Sequence, residues 1–277
     1  MLEALDAPYL QRAVAAGLLI AVPLGLLGCW VVLRGLAFYA HAVGVATFPG
    51  TVIGLALPAL GTFAAAMLAA LGFSLVVSAA ESDHRLRGGA VTGLALAVAL
   101  AGGAVLLTVT EAGSAPVEGV LFGSLLAVSI PDVLACAGTA AIAVAVIGRL
   151  LPRLGATTFD EEWAARTGAR VRATQAILLT VIALVVVSAL PAVGSLLVSA
   201  LLVIPAATAR LITERLAPML GWAVALSVLE VVAGLLAARA LDVPPGAAVA
   251  AVAGAVFALT IACLVGAASL GTAMRRT

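Results

Sequence analysis

The sequence predicts an all-α polytopic integral membrane protein. Three observations predict it. Of 277 residues, 64% are hydrophobic and only 10% charged, where a globular domain carries about a quarter charged. Apolar runs of about 20 residues recur from end to end, each long enough to cross a ~30 Å hydrocarbon core. Few polar residues interleave with the apolar ones, which excludes alternating barrel strands and leaves helices.

Taken in order, the expected spans are 13–33, 36–57, 60–80, 89–110, 129–151, 173–190, 192–212, 219–240 and 247–269. That is nine. Pro191 lies between the sixth and seventh, which could instead form one long broken element with a short helix, giving eight. The whole chain, 1–277, reads as one transmembrane domain. Arginine placement tests the count. With the C-terminus cytoplasmic, alternation puts Arg34, Arg85, Arg87, Arg149, Arg153, Arg166, Arg170, Arg172, Arg210, Arg215, Arg275 and Arg276 on that side and only Arg12 and Arg239 opposite. This is a strong positive-inside bias, and a miscount by one span would scramble it. It places the N-terminus outside. Residues 1–12 carry Glu3, Asp6, Pro8 and Arg12, unlike the basic start of a signal peptide.

All fourteen basic residues are Arg. Without Lys there is no phosphate-binding P-loop and no Schiff base, so the chain is expected to be no enzyme and to hydrolyse no ATP by that route. Cys29, Cys136 and Cys263 fall inside apolar runs and read as small core residues, not disulfides or ligands.

Two connections exceed simple turns. Residues 152–172 form a charged cytoplasmic loop in which Asp160, Glu161 and Glu162 lead an Ala-rich turn ending near Gly168, the pattern of a short helix with acid at its N-terminus. Residues 111–128 are external, and their apolar part, VLFGSLLAV, is too short to span, which suits a re-entrant or interfacial piece. Small residues four apart, Gly50 and Gly54, Gly234 and Ala238, then Gly246, Ala250 and Gly254, allow close helix approach, within the chain or between copies.

Ionisable groups inside the membrane cost about 3 kcal/mol and ask for a reason. Glu230 lies mid-span in LSVLEVVAGLL, about 16 Å from the inner boundary, and His41 in FYAHAVGVATFPG, about 10 Å from it. A carboxylate and an imidazole suit zinc, manganese or a proton along a pathway. A bonded core residue is the alternative for each. Pro49 and Gly50 are expected to break the helix just beyond His41, as happens where backbone lines a cavity. His84 sits in the solvated turn ESDHRLR.

Several strings, in order, resemble one family. WVVLRGLAFYAHAVGVATFPG (30–50) is similar to VVLRR-x-SF-x-GDAxSHAxLPG. LFGSLLAVSIPD (121–132) is similar to LFGxLLxVSxxD, and FDEEWAARTG (159–168) to FDEExARxxG. VGSLLVSALLVIPAATARLITERL (193–216) is similar to VGxLLVxALLVIPAATARLLT, and LDVPPGA (241–247) to LDxPxGP. The chain resembles the metal-permease (ABC-3) family, the membrane subunits of ATP-binding cassette importers for zinc and manganese, sometimes iron.

The resemblance implies a multi-pass protein of the bacterial plasma (inner) membrane. It implies a pore formed by two permease copies, a cytoplasmic ATPase dimer that binds the ATP, and an extracytoplasmic metal-binding protein. It implies transported divalent metal, no permanently bound cofactor and no nucleic acid. Arg210, Glu214 and Arg215, bounded by Pro218, fall where the family's coupling helix would press on the ATPase, within the cytoplasmic segment 210–218. Reading GDAxSHA onto AHAVGVA puts Ala40 at the Gly, His41 at the Asp, Gly44 at the Ser and Val45 at the His. His41 then reads as a replacement ligand, with Glu230 supplying charge; the alternatives are a site rewired for another substrate and a metal that passes with little coordination. Two other readings stay open: a permease for a metal chelate of siderophore or cobalamin type, and an ATP-independent channel or exchanger with Glu230 as proton carrier.

Overall fold

The structure is a computed structural model and describes residues 8–81, 89–110, 129–243 and 245–274. Nearly all of these are helical, and none is in a strand. The helices are α1 (Pro8–Leu33), α2 (Ala37–Val45), α3 (Phe48–Ala56), α4 (Thr62–Ala80), α5 (Gly89–Val109) and α6 (Ile130–Phe159). After them come α7 (Glu161–Arg166), α8 (Val171–Val193), α9 (Ser195–Ile212), α10 (Leu216–Leu241) and α11 (Pro245–Met274). Among the described residues, eight segments are long and apolar enough to cross a membrane, α2 and α3 together making one of them. The seventh expected span, 192–212, appears as the shorter apolar stretch Leu197–Ile212 of α9. The 111–128 connection and His84 lie outside the described residues.

The helices sort into a centre and a rim. In α1 and α8, 67% of the most apolar stretch is buried, against 17% in α5 and α11. Leu94, Val98, Val105 and Val109 of α5 and Leu259 and Val265 of α11 face outward, the arrangement of helices that meet lipid. Association between such helices is driven by packing and favours small residues at the contacts. The sequence follows that rule. A Cβ on Gly28 of α1 would lie 2.0 Å from the Leu202 carbonyl oxygen of α9, and one on Gly25 would lie 2.9 Å from the Ala223 oxygen of α10. Gly17, further back along α1, faces Val231 of α10. The pairs 17 with 231 and 25 with 223 run antiparallel, so the start of α10 lies at the same end of the bundle as the end of α1. Gly50 packs on Ala65 of α4, Gly54 on Thr62, and Gly234 on Val249 of α11. These small-residue positions therefore serve packing within the chain, while Gly254 faces open space.

Four expectations are corrected. Pro191 does not divide the sixth and seventh spans. It lies within α8, and the break comes three residues later at Gly194, whose φ of 76° and ψ of 158° suit glycine. The fifth span does not end at 151 but runs through Pro152 to Phe159, because one proline removes one hydrogen bond and the remaining ladder carries the helix on. The loop thus shrinks to 160–170, and its acidic segment is α7, as expected, with Asp160 Oδ1 accepting from Trp163 N at 2.8 Å. Cys29 and Cys136 are buried, but Cys263 is exposed on the outer face of α11; a single thiol is apolar enough to stand on a surface that meets lipid.

Candidate functional site

α1 ends at a turn. Leu36 N donates to Val31 O at 2.8 Å across Gly35, which takes φ 68°, a left-handed closure that glycine adopts without strain. The chain then enters α2, nine residues long. The expected break at Pro49 and Gly50 comes earlier, at Ala46 and Thr47. Pro49 lies in the first turn of α3, where its missing N–H costs nothing, so it starts a helix instead of ending one. Pro49 still has no N–H to offer the Val45 carbonyl four residues back. The Thr47 hydroxyl donates to the Gly44 carbonyl at 2.7 Å and ties the jog together.

α2 has two working faces. Tyr39, 2% exposed, holds the inner one. Its hydroxyl bonds Ser74 of α4 and donates to the Leu179 carbonyl of α8 at 3.0 Å, and its ring stacks on Phe73 with centroids 6.0 Å apart. His41 and Val45, one turn apart, are both half-buried. His41 Nδ1 lies 3.2 Å from Ser199 Oγ on α9. Ser199 was not among the residues read as functional in the sequence. Its only signal was a hydroxyl within the apolar run SLLVSALLVIP.

Glu230 stands elsewhere. It is 0% exposed on α10, and among the described residues neither carboxylate oxygen has a hydrogen-bond partner; the Ser227 hydroxyl one turn earlier has none among them either. α10 packs on α1, α9 and α11, whereas α2 packs mainly on α5, α8 and α9. Among the described residues no hydrogen bond joins His41 to Glu230, and no three His, Cys, Asp or Glu side chains gather into a metal cluster.

A third polar region lies at the end of the bundle where α1, α4, α6 and α8 meet. A cavity of about 470 Å³ is lined there by Arg34, Tyr39, Glu81, Glu161, Arg172 and Gln175, among others. Arg34 Nε donates to Thr158 Oγ1 at 2.9 Å and Nη2 to Thr157 Oγ1 at 2.7 Å and the Leu154 carbonyl at 3.3 Å, while Nη1 bonds Gln175 Oε1. Gln175 Nε2 in turn reaches Glu81 Oε2 at 3.4 Å. Burial lowers the Arg34 pKa and the Glu161 carboxylate opposes that shift. Burial raises the Glu81 carboxyl, and the bond from Gln175 works against it. The bundle thus gathers at one end the span termini near 34, 81, 157–161 and 172, the termini that the arginine count assigns to one side of the membrane.

Between Arg210 and Pro218 no separate helix forms. Arg210 is in the last turn of α9, Thr213–Arg215 make a corner in which Arg215 N donates to Thr213 Oγ1 at 3.3 Å, and α10 starts at Leu216. The chain turns back at once because α10 must return along α1. Arg210, Glu214 and Arg215 are all exposed.

Eight long spans and one shorter apolar helix among the described residues, the second span broken beside a half-buried imidazole, make the frame of a multi-pass permease. Residues 6–264 match the sequence profile of the ABC 3 transport family, and the chain belongs to that family. It is 33% identical over 257 residues, 93% of this chain and 88% of the relative, to the manganese transport system membrane protein MntC of Halalkalibacterium halodurans. It is 29% identical to the manganese import system permease protein ScaB of Streptococcus parasanguinis, over 87% of this chain and 85% of that one. Among solved structures it is similar to PsaBC from Streptococcus pneumoniae in complex with Fab, with a TM-score of 0.81 and 26% identity over 94% of this chain and 93% of the other. An inward-facing putative metal-chelate type ABC transporter, at 18% identity and TM-score 0.68 over 90% and 84% of the two chains, shares the fold.

Proposed function

We propose that the chain is the membrane-spanning subunit of an ABC importer for a divalent metal cation, manganese ahead of zinc. The observation that carries this reading is the nearly full-length likeness to a protein named as a manganese transport membrane protein. Side chains that suit this reading lie on α2 and α9. His41 and Val45 share a half-buried face of α2, and the Ser199 hydroxyl stands beside the ring. An imidazole, a hydroxyl and the Val45 carbonyl at the helix break form a sparse N/O set that a passing divalent cation can use without being trapped. A second permease copy closes that open face into a pathway. Glu230 serves as a second polar station further along, not as a direct partner of His41.

In this reading the Arg-rich end faces the cytoplasm, following the positive-inside rule, and the N-terminus lies outside. A separate ATPase dimer docks there. Its contact surface comprises exposed Phe159 and Trp163 around α7 and the charged corner of Arg210, Glu214 and Arg215. A binding protein delivers the metal from outside, and the ATP is held by the partner, since this chain has no Lys for a P-loop.

The test is metal accumulation in cells lacking the gene, measured by mass spectrometry across manganese, zinc, iron and cobalt. A selective manganese deficit restored by the wild-type gene is expected. An unchanged metal profile would overturn the metal reading and leave a chelate as cargo.

A further inference from the structure

Arg34 is joined to both sides of a mechanical problem. On one side it is bonded to the last turn of α6, at Leu154, Thr157 and Thr158. Two residues beyond Thr158, Asp160 caps α7. On the other side Arg34 is followed at once by Gly35, the left-handed turn, and by α2 with its His41. α8 completes the arrangement. Gln175 accepts from Arg34 and Leu179, one helical turn on, accepts from Tyr39 of α2. A displacement of α7 therefore reaches α2 through one guanidinium, and it finds a glycine joint where α2 can pivot.

The chemistry suits arginine and no other residue. The planar guanidinium offers five donors in a fixed fork. Here it spans three elements at once: α1 through its own backbone, α6 through two hydroxyls and a carbonyl, and α8 through an amide. The Thr157 hydroxyl donates to the Arg153 carbonyl of its own helix at 2.8 Å, and the Thr158 hydroxyl donates to the Leu154 carbonyl. Their lone pairs are thereby turned toward Arg34. A lysine would keep the charge and lose the fork.

We propose that Arg34 is a positioning residue that couples the α7 segment to the His41 half-helix, so that movement imposed at α7 opens or closes the cation path. This rests on the reading of the chain as an ATPase-driven permease. Rigid elements bridged by such a network transmit a displacement where a hinge gives it a second arrangement.

The test uses the permease assembled with its ATPase in lipid vesicles. Two readouts are taken: manganese moved per ATP hydrolysed, and hydrogen–deuterium exchange over residues 36–45 with and without ATP. Arg34→Gln should leave the complex assembled and hydrolysing ATP, reduce manganese moved per ATP about tenfold, and abolish the ATP-dependent change in exchange at 36–45. Thr158→Val, a milder change that removes one acceptor, should lower the same ratio about threefold, and Arg34→Lys should not rescue it. A purely structural role would lower assembly and ATP hydrolysis together and leave the ratio unchanged, and that result overturns the proposal. If wild type moves no manganese, the cargo assignment fails, and the exchange readout alone decides: an equal ATP response in wild type and Arg34→Gln, or in wild type and Thr158→Val should Arg34→Gln not assemble, overturns the coupling role.

Discussion

His41 Nδ1 and Ser199 Oγ, 158 positions apart in the chain, meet at 3.2 Å between α2 and α9. Both are half-buried, so the pair is neither sealed in the core nor left on the lipid face. A pathway ligand needs that intermediate position, because it must exchange one partner for another as cargo passes.

His41→Ala should abolish most manganese uptake in reconstituted vesicles. Ser199→Ala, which removes one hydrogen bond of about 1 kcal/mol, should slow uptake about fivefold. His41→Asp with Val45→His installs carboxylate and imidazole one turn apart on the same face, and should shift the manganese-to-zinc uptake ratio. An unshifted ratio together with normal uptake in His41→Ala would make His41 a packing residue.

Glu230 presents the opposite case: it is 0% exposed and has no hydrogen-bond partner among the described residues. Burying such a group costs about 1–3 kcal/mol on mutational scales. Glu230→Leu should therefore raise the melting temperature in detergent. If Glu230 serves the pathway, the same variant and Glu230→Gln should lose transport while the ATPase stays bound. Full uptake by Glu230→Gln would remove it from the pathway.

Gly28 is where α1 and α9 approach most closely among the glycine contacts, and an added Cβ would lie 2.0 Å from a backbone oxygen. A backbone atom cannot swing aside as a side-chain tip can. Gly28→Ala should destabilise the bundle by about 2 kcal/mol, read as a lower melting temperature. Gly72→Ala in α4, with nothing within 4 Å, should be neutral or stabilising.

The two candidate ATPase contacts can be separated. Arg210→Glu with Arg215→Glu reverses charge at the α9–α10 corner and should weaken assembly mainly at low salt, since exposed charges are screened. Trp163→Ala removes an exposed aromatic ring from α7 and should weaken assembly at all salt concentrations, as loss of an interface anchor does. Pull-down of the ATPase at two salt concentrations distinguishes them; retention by both variants would place the contact elsewhere.

Much of the fold was legible without coordinates. Helices and their apolar lengths follow from composition, because lipid leaves the backbone no alternative. Among the described residues, seven of the eight long spans lie close to the expected limits and the fifth overruns its own to Phe159, while α7 with its Asp160 cap stands where the acidic run placed it. Breaks were less legible. Pro49 and Pro191 looked like interruptions, yet the chain bends at Ala46–Thr47 and at Gly194. A proline constrains the carbonyl four residues earlier and tolerates a first turn, so the bend shifts away from the residue that signals it.

The sequence by itself determined that this is a membrane bundle, which family it resembles, and which rare polar residues lie at membrane depth. It carried no information on which of those residues meet. His41 pairs with Ser199, not Glu230, and Arg34, read from the sequence only as one more charge at a helix end, gathers three elements around a polar cavity. Those pairings depend on which helices touch and in what rotation. Close approach at glycines such as Gly28 and Gly25 sets both, since the side-chain period of each helix fixes its own faces and says nothing of its neighbour's.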